Sequence, residues 1–267
     1  MAVVCGAQVA AYHRNARVVT RDFYGALRVT ESFGVRRLYH GTIEHGAQFM
    51  DTTKAKLATT YYTAESGIGL ALRFCCEGPK RVGVVGLGVG TLAAYGRAGD
   101  YFRFYEIDPE VIRLARSEFS FLGSTPATVD VVPGDARVSL SREGSQQFDV
   151  LAIDAFSGDA IPIHLLTKEA FGIYRRHLKA SGILALHVSN QFLDLAPVVA
   201  RLAPGAVSIQ NDQDDSREIA AATWILVTSD SDFMSRPEIV SAARPVPPRR
   251  GPMWTDDYSN LFQVLKW

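Results

Sequence analysis

The chain has 267 residues, 47% of them apolar and 21% charged, and its 28 basic and 28 acidic side chains cancel. That length holds one good core, or one core with a small extra domain; the neutral balance, with no basic block and no acidic tail, argues against nucleic acid as a partner. No apolar run reaches the roughly eighteen residues of a membrane helix, the start lacks a basic leader, and three cysteines, Cys5, Cys75 and Cys76, without metal spacing fit a reducing compartment, so a cytoplasmic protein without a metal is expected.

Residues 17–50 alternate apolar and polar side chains and are rich in β-formers. Short strands are expected over 17–21, 26–30, 37–40 and 42–45, with Gly25, Gly34 and Gly41 in the turns. This predicts a small antiparallel β domain, assigned to residues 1–56. After Thr52 the pattern changes: helical spacing runs over 64–76, and strands and helices then alternate. The strand candidates are 81–85, 102–107, 128–132, 148–153, 183–188 and 223–228. Asp108 can cap a helix that begins at Pro109, and Thr167 another over 166–178. Residues 245–252, rich in proline, read as an extended loop. Residues 57–267 are therefore expected to form an α/β domain, a mainly parallel sheet with helices on both faces.

The most informative stretch runs Val84-Val85-Gly86-Leu87-Gly88-Val89-Gly90-Thr91, then Tyr105-Glu106-Ile107-Asp108. It reads as a buried strand, a glycine turn, a helix, and a second strand ending in an acid. Glu106 follows Gly86 by twenty residues, the spacing at which a carboxylate reaches the hydroxyls of a ribose lying over the turn. A dinucleotide turn wants its third glycine where Thr91 stands. The tighter pattern of Gly86, Gly88 and Gly90 suits a nucleoside without a pyrophosphate, such as S-adenosylmethionine and its relatives. Ligands of such sheets bind beyond the carboxyl ends of the strands, which adds Asp135, Ala136, Asp154 and residues 187–190 as candidates. Asp135 can accept from an adenine amino group beside the small Ala136, or serve as a turn residue. Asp154 can bind or deprotonate an amine, or cap a turn. The loop after it, with Gly158 and Pro162, is a candidate lid. Asp159 in that loop reads equally as a site residue or a solvated carboxylate.

The chain resembles the polyamine aminopropyltransferases, the spermidine synthase family. It is most similar to the spermidine-synthase-like domains that some bacteria fuse to membrane segments. The resemblance runs from about Phe23 to the C-terminus. It is carried by Leu38-Tyr39-His40-Gly41-Thr42-Ile43-Glu44-His45-Gly46-Ala47-Gln48, Thr59-Thr60-Tyr61-Tyr62, the glycine turn, Tyr105-Glu106-Ile107-Asp108, Gly134-Asp135-Ala136-Arg137, Asp154 and its loop, and His187-Val188-Ser189-Asn190. It implies a small β domain before a methyltransferase-like (Rossmann-like) sheet, a decarboxylated S-adenosylmethionine donor, and a homodimer. It implies Glu106 for the ribose, Asp135 for adenine, Asp154 as the catalytic aspartate, and Tyr61, Tyr62, Glu44, Gln48 and Asp159 around the substrate. Val89 stands where the family's glycine turn has an aspartate that holds the donor's free amine. His40-Gly41 stands for the family's Asp-Gly, and Asp159 matches the second loop aspartate only after a shift of one or two residues.

The expected activity is aminopropyl transfer to a small amine. Two rivals stay open. One is a methyltransferase using ordinary S-adenosylmethionine, which Val89 favours because a carboxylate there would repel the donor's own. The other is a non-catalytic ligand-binding domain that keeps the fold.

Overall fold

The computed structural model describes residues 15–155, 162–247 and 251–266. The first element is a meander of four antiparallel strands: β1 (Ala16–Arg21), β2 (Ala26–Ser32), β3 (Val35–His40) and β4 (Ile43–Phe49). Alternation in the sequence puts Leu27 and Val29 of β2 and Leu38 of β3 inward, all buried. Asp22 accepts from the amides of Tyr24 and Gly25 and so closes the first turn. Strand β4 runs four residues beyond its expected end at His45, because a register shift between Arg37 and Tyr39 keeps the pairing going to Phe49.

Helix α1 (Gly67–Phe74) leads into an eight-stranded sheet of order β12-β10-β11-β9-β8-β5-β6-β7. Its parallel part is β5 (Arg81–Val85), β6 (Tyr101–Glu106), β7 (Thr128–Pro133), β8 (Phe148–Ile153) and β9 (Leu178–His187). The antiparallel part is β10 (Val207–Asn211), β11 (Ala222–Val227) and the short β12 (Arg244–Pro245). No sequence signal marks β10, and β12 overlaps the start of residues 245–252, which read as a loop.

Strands buried on both faces show why the sheet has two cores. In β8, Val150 and Ala152 face one core, while Leu151 and Ile153 face the other. The first core collects α1, α2 (Pro109–Ser117) and the inward residues of the small sheet. The second collects α4 (Ala136–Arg142), α5 (Lys168–His177) and α6 (Ala196–Leu202). Asp108 and Thr167 cap α2 and α5 as expected, accepting from amides of the first turn, a contact worth about 1 kcal/mol each. After the glycine turn the chain forms a short 3₁₀ helix, Thr91–Tyr95, in place of the expected α-helix. It stops at Gly96, where an added Cβ would lie 2.4 Å from Thr125 Oγ1.

Strand order reverses at β5, with β6 on one side and β8 on the other. The crevice beyond the ends of β5 and β8 is the place where such sheets take ligands. The glycine turn follows β5 and Asp154 follows β8, so topology alone brings them together.

Candidate active site

The turn after β5 is built for close approach. Gly86 has φ 94° and Gly88 φ 53°, a region that favours glycine. A Cβ on Gly86 would lie 2.2 Å from the Asp154 carbonyl oxygen, and one on Gly88 would lie 2.6 Å from that of His45. The turn thus presses against both the β8 end and the small sheet. Beneath it opens a cavity of about 300 Å³, lined among others by Gly86, Leu87, Gly88, Glu106, Asp135, Ala136 and Asp154.

Glu106 is fixed in that cavity by two backbone donors: Leu87 N–H to Oε2 and Asp108 N–H to Oε1, each 2.9 Å. A carboxylate has about four acceptor sites, so it keeps capacity for ligand hydroxyls. Burial raises its pKa, against the two amides. Asp135 caps a helix and also lines the cavity. Its Oδ1 accepts from Val138 N–H at 2.8 Å, at the start of α4. Its Oδ2 lies 3.3 Å from His164 Nε2.

A second cavity, of about 100 Å³, is lined by Glu44, His45, Tyr61, Tyr62, Gly88, Asp154, His187, Ser189 and Asn190, with Ile43 at its edge. His45, Gly88 and Asp154 line both cavities and mark their junction. Asp154 thus shares one space with Gly86 and Glu106 and the other with Tyr61. Its carboxyl group is 5% exposed. The Tyr62 hydroxyl donates to Oδ2 at 2.5 Å, and His187 Nδ1 lies 2.8 Å from Oδ1.

The two tyrosines precede α1 in a segment without regular structure, so other contacts hold them. Trp224 Nε1 donates to the Tyr61 carbonyl at 3.0 Å, and the Tyr95 hydroxyl to that of Tyr62 at 2.5 Å. The His187 ring stacks between Tyr61, 4.5 Å away, and Trp224, 4.9 Å away. Burial, then Asp154, pushes both phenols well above their ordinary range, so they stay neutral. Burial also raises Glu44, which Arg37 Nε approaches to 3.6 Å. His45 is pushed down to about 4, chiefly by burial. Among the described residues its Nε2 is buried without a hydrogen-bond partner.

Gln48, expected near the substrate, lines neither cavity: it is 2% exposed, donates to Ala55 O and Ser120 Oγ, and accepts from Ser120 N–H. Its amide ties β4 to the start of α3 (Phe121–Ser124) because all its polar atoms are used there. Gly90 lies away from the cavity and makes room for Leu122, 2.8 Å from a would-be Cβ. Asp159 and most of the candidate lid fall outside the described residues. Conversely, His45, His164 and Tyr24 line the first cavity without any sequence signal that marked them. Residues 187–190 were noted as candidates at a strand end and as part of the resemblance, with no role given to any of them. Among the described residues no group of three His, Cys, Asp or Glu side chains is placed to hold a metal, and no helix is long and apolar enough to cross a membrane.

The sheet order, glycine turn and cavity at the switch point define a methyltransferase-like fold, here carrying an N-terminal antiparallel sheet. No family model matches the chain. Over 119 residues, 43% of its length, it is 36% identical to a polyamine aminopropyltransferase of Vibrio vulnificus, matching 38% of that protein. Over 129 residues, 47% of its length, it is 30% identical to a probable O-methyltransferase of Mycobacterium tuberculosis, matching 54% of that one. The chain thus spans less than two thirds of these relatives. Among solved structures it is similar to a probable spermidine synthase from Corynebacterium glutamicum, with TM-score 0.67, 16% identity, and 89% and 97% of the two chains covered. It is also similar to spermidine synthase from Thermotoga maritima, with TM-score 0.61, 14% identity, and 91% and 82% covered. Part of the chain is thus similar in sequence to a polyamine aminopropyltransferase, and its fold is similar to that of spermidine synthase structures.

Proposed function

We propose that the chain is a transferase of the spermidine synthase type, moving an aminopropyl group from decarboxylated S-adenosylmethionine to a small amine. The observation that carries this reading is Asp154 at the junction of two cavities, one of about 300 Å³ lined by the glycine turn and Glu106, and one lined by Glu44, Tyr61 and Tyr62. The donor's adenosine would lie over the glycine turn, with its ribose on Glu106 and its adenine beside Asp135 and Ala136. Neighbours in fold have been solved with the transition-state analogue AdoDATO and with SAH, in keeping with a ligand of this type.

The acceptor is a cation until it loses a proton, since an alkyl amine has a pKa of about 10. Glu44 and Asp154 suit the cation, and the hydroxyls of Tyr61 and Tyr62 can orient it. Asp154 takes one proton from the amine. The freed nitrogen lone pair attacks the carbon next to the sulfonium. The carbon–sulfur bond breaks, its electron pair goes to sulfur, and methylthioadenosine leaves. Alignment of the two substrates and exclusion of water supply much of the acceleration.

A second reading, methyl transfer from ordinary S-adenosylmethionine, is favoured by the uncharged Val89 in the glycine turn. One experiment separates them: the purified protein is given each donor with a panel of diamines, and the released thioether nucleoside is identified. Methylthioadenosine supports aminopropyl transfer, S-adenosylhomocysteine supports methyl transfer, and neither product moves the binding-domain reading ahead. The same proposal has the protein working as a homodimer in the cytoplasm, and light scattering reads the first of these.

A further inference from the structure

We propose that His187 is the positioning residue of this transfer: its imidazole, anchored by Ser189, holds the Asp154 carboxylate toward the acceptor amine through Nδ1–H. The inference rests on the reading in which Asp154 meets the amine.

Three hydrogen bonds fix the arrangement. An ionised carboxylate can only accept. His187 Nδ1, 2.8 Å from Asp154 Oδ1, must therefore carry the ring hydrogen. Nε2, on the other side of the ring, faces the Ser189 hydroxyl 2.8 Å away, and in the tautomer proposed here it is a lone pair that accepts from that hydroxyl. Ser189 Oγ is itself placed by the backbone, because it accepts the Thr223 amide at 2.8 Å across the pairing of β9 and β11. That bond uses an oxygen lone pair and leaves the hydroxyl hydrogen to turn to the imidazole.

The ring cannot swing. His187 is 7% exposed, and its plane lies within 21° of Tyr61 on one side and 19° of Trp224 on the other. With Tyr62 on the other carboxylate oxygen, both oxygens of Asp154 have a donor, which holds one rotamer against the junction of the cavities. A carboxylate, imidazole and hydroxyl in this order could also serve a nucleophilic serine. Here the carboxylate, and not the hydroxyl, is common to both cavities. During transfer the amine's proton goes to Asp154, His187 keeps its hydrogen on Nδ1, and Asp154 returns the proton to solvent when product leaves.

Two substitutions separate positioning from packing. His187→Phe keeps a ring between Tyr61 and Trp224 but removes the donor. His187→Asn loses the ring, but its Nδ2 can stand where Nδ1 stood. With nucleoside affinity unchanged by calorimetry, His187→Phe is expected to lower kcat roughly tenfold to a hundredfold, the loss of one hydrogen bond to a charged group. His187→Asn is expected to recover most of that. Wild-type kcat in His187→Phe, or equal loss in both variants, would overturn the proposal. Imidazole nitrogen NMR of the wild-type protein decides the tautomer without any turnover: a protonated Nδ1 and bare Nε2 support the proposal, and the reverse overturns it. Labelling of Ser189 by a fluorophosphonate would also overturn it, by making the serine the nucleophile. If the wild type releases no thioether nucleoside from either donor, the transferase reading fails, while the NMR result still stands for or against the tautomer.

Discussion

Val89 is packed against Gly46 so closely that a Cβ on Gly46 would come within 2.6 Å of Val89 Cγ2. The valine is fully buried, and this contact joins the glycine turn to β4. The place that the family resemblance assigns to a donor-binding aspartate is thus filled by packing and presents no charge.

Donor choice should follow from that contact. A hydrogen bond to a charged group is worth about 1.5–3 kcal/mol, so without the aspartate, selection for the decarboxylated donor should be weaker by roughly ten- to a hundredfold than in an enzyme that has it. The measurement is a competition between the two donors, scored as the ratio of kcat/KM. A preference above about a thousandfold would show that another group has taken the role; His45, at the junction, is the first to test.

Glu106 should carry much of the nucleoside affinity. Its two backbone bonds to Leu87 and Asp108 hold the carboxylate in place whether or not ligand is bound. Glu106→Ala is expected to weaken binding of methylthioadenosine by about 1.5–3 kcal/mol, while Glu106→Gln keeps part of the geometry and loses less. Calorimetry on folded variants reads both, and unchanged affinity in Glu106→Ala would take the residue out of the site.

His45 should make stability depend on pH. Burial, then His40, holds its pKa down to about 4 against an ordinary 6.5. Between those values the unfolded chain binds the proton and the folded one does not. Stability from this group is therefore complete above pH 6.5 and falls as pH drops towards 4, by about 3 kcal/mol in all. Other groups titrate in the same range, so the comparison is with His45→Gln. Urea unfolding at pH 7 and pH 4.5 should show a smaller loss in the variant. An equal loss in both proteins would mean that the imidazole takes up its proton in the folded state.

Strands β5 and β8 were legible residue by residue, because each is a short apolar run closed by a glycine or an acid. The caps Asp108 and Thr167 were legible because capping is local chemistry. Strand β10 was not, since its Val207-Ser208-Ile209-Gln210-Asn211 is short and largely polar. In the site, Gly86, Glu106 and Asp154 could be placed by spacing and topology. The wall of the second cavity could not. Tyr61 and Tyr62 lie in irregular chain held by Trp224 and Tyr95, and only resemblance singled them out. Gln48 and Gly90 matched their motifs, yet they line neither cavity: Gln48 bonds Ser120, and Gly90 packs against Leu122.

Asp154→Asn is the substitution on which the transferase reading depends most. The amide has nearly the size of the carboxylate but neither its charge nor its capacity to take a proton. The residue accepts from Tyr62 on one oxygen and faces His187 on the other, so the amide can satisfy only one of these donors, and the other loses its acceptor. That is a local cost within a site whose walls are held elsewhere, by Trp224, Tyr95 and Thr223. Fold and nucleoside binding should therefore survive, since Glu106 and the glycine turn are untouched. Turnover should fall by roughly 10²–10⁴, the contribution of a positioned acid or base. The loss should appear in kcat, with the KM for donor little changed, because the carboxylate acts on the acceptor and not on the adenosine. Normal turnover in a folded Asp154→Asn protein would remove the residue from the chemistry, and with it the reason for joining the two cavities into one active site.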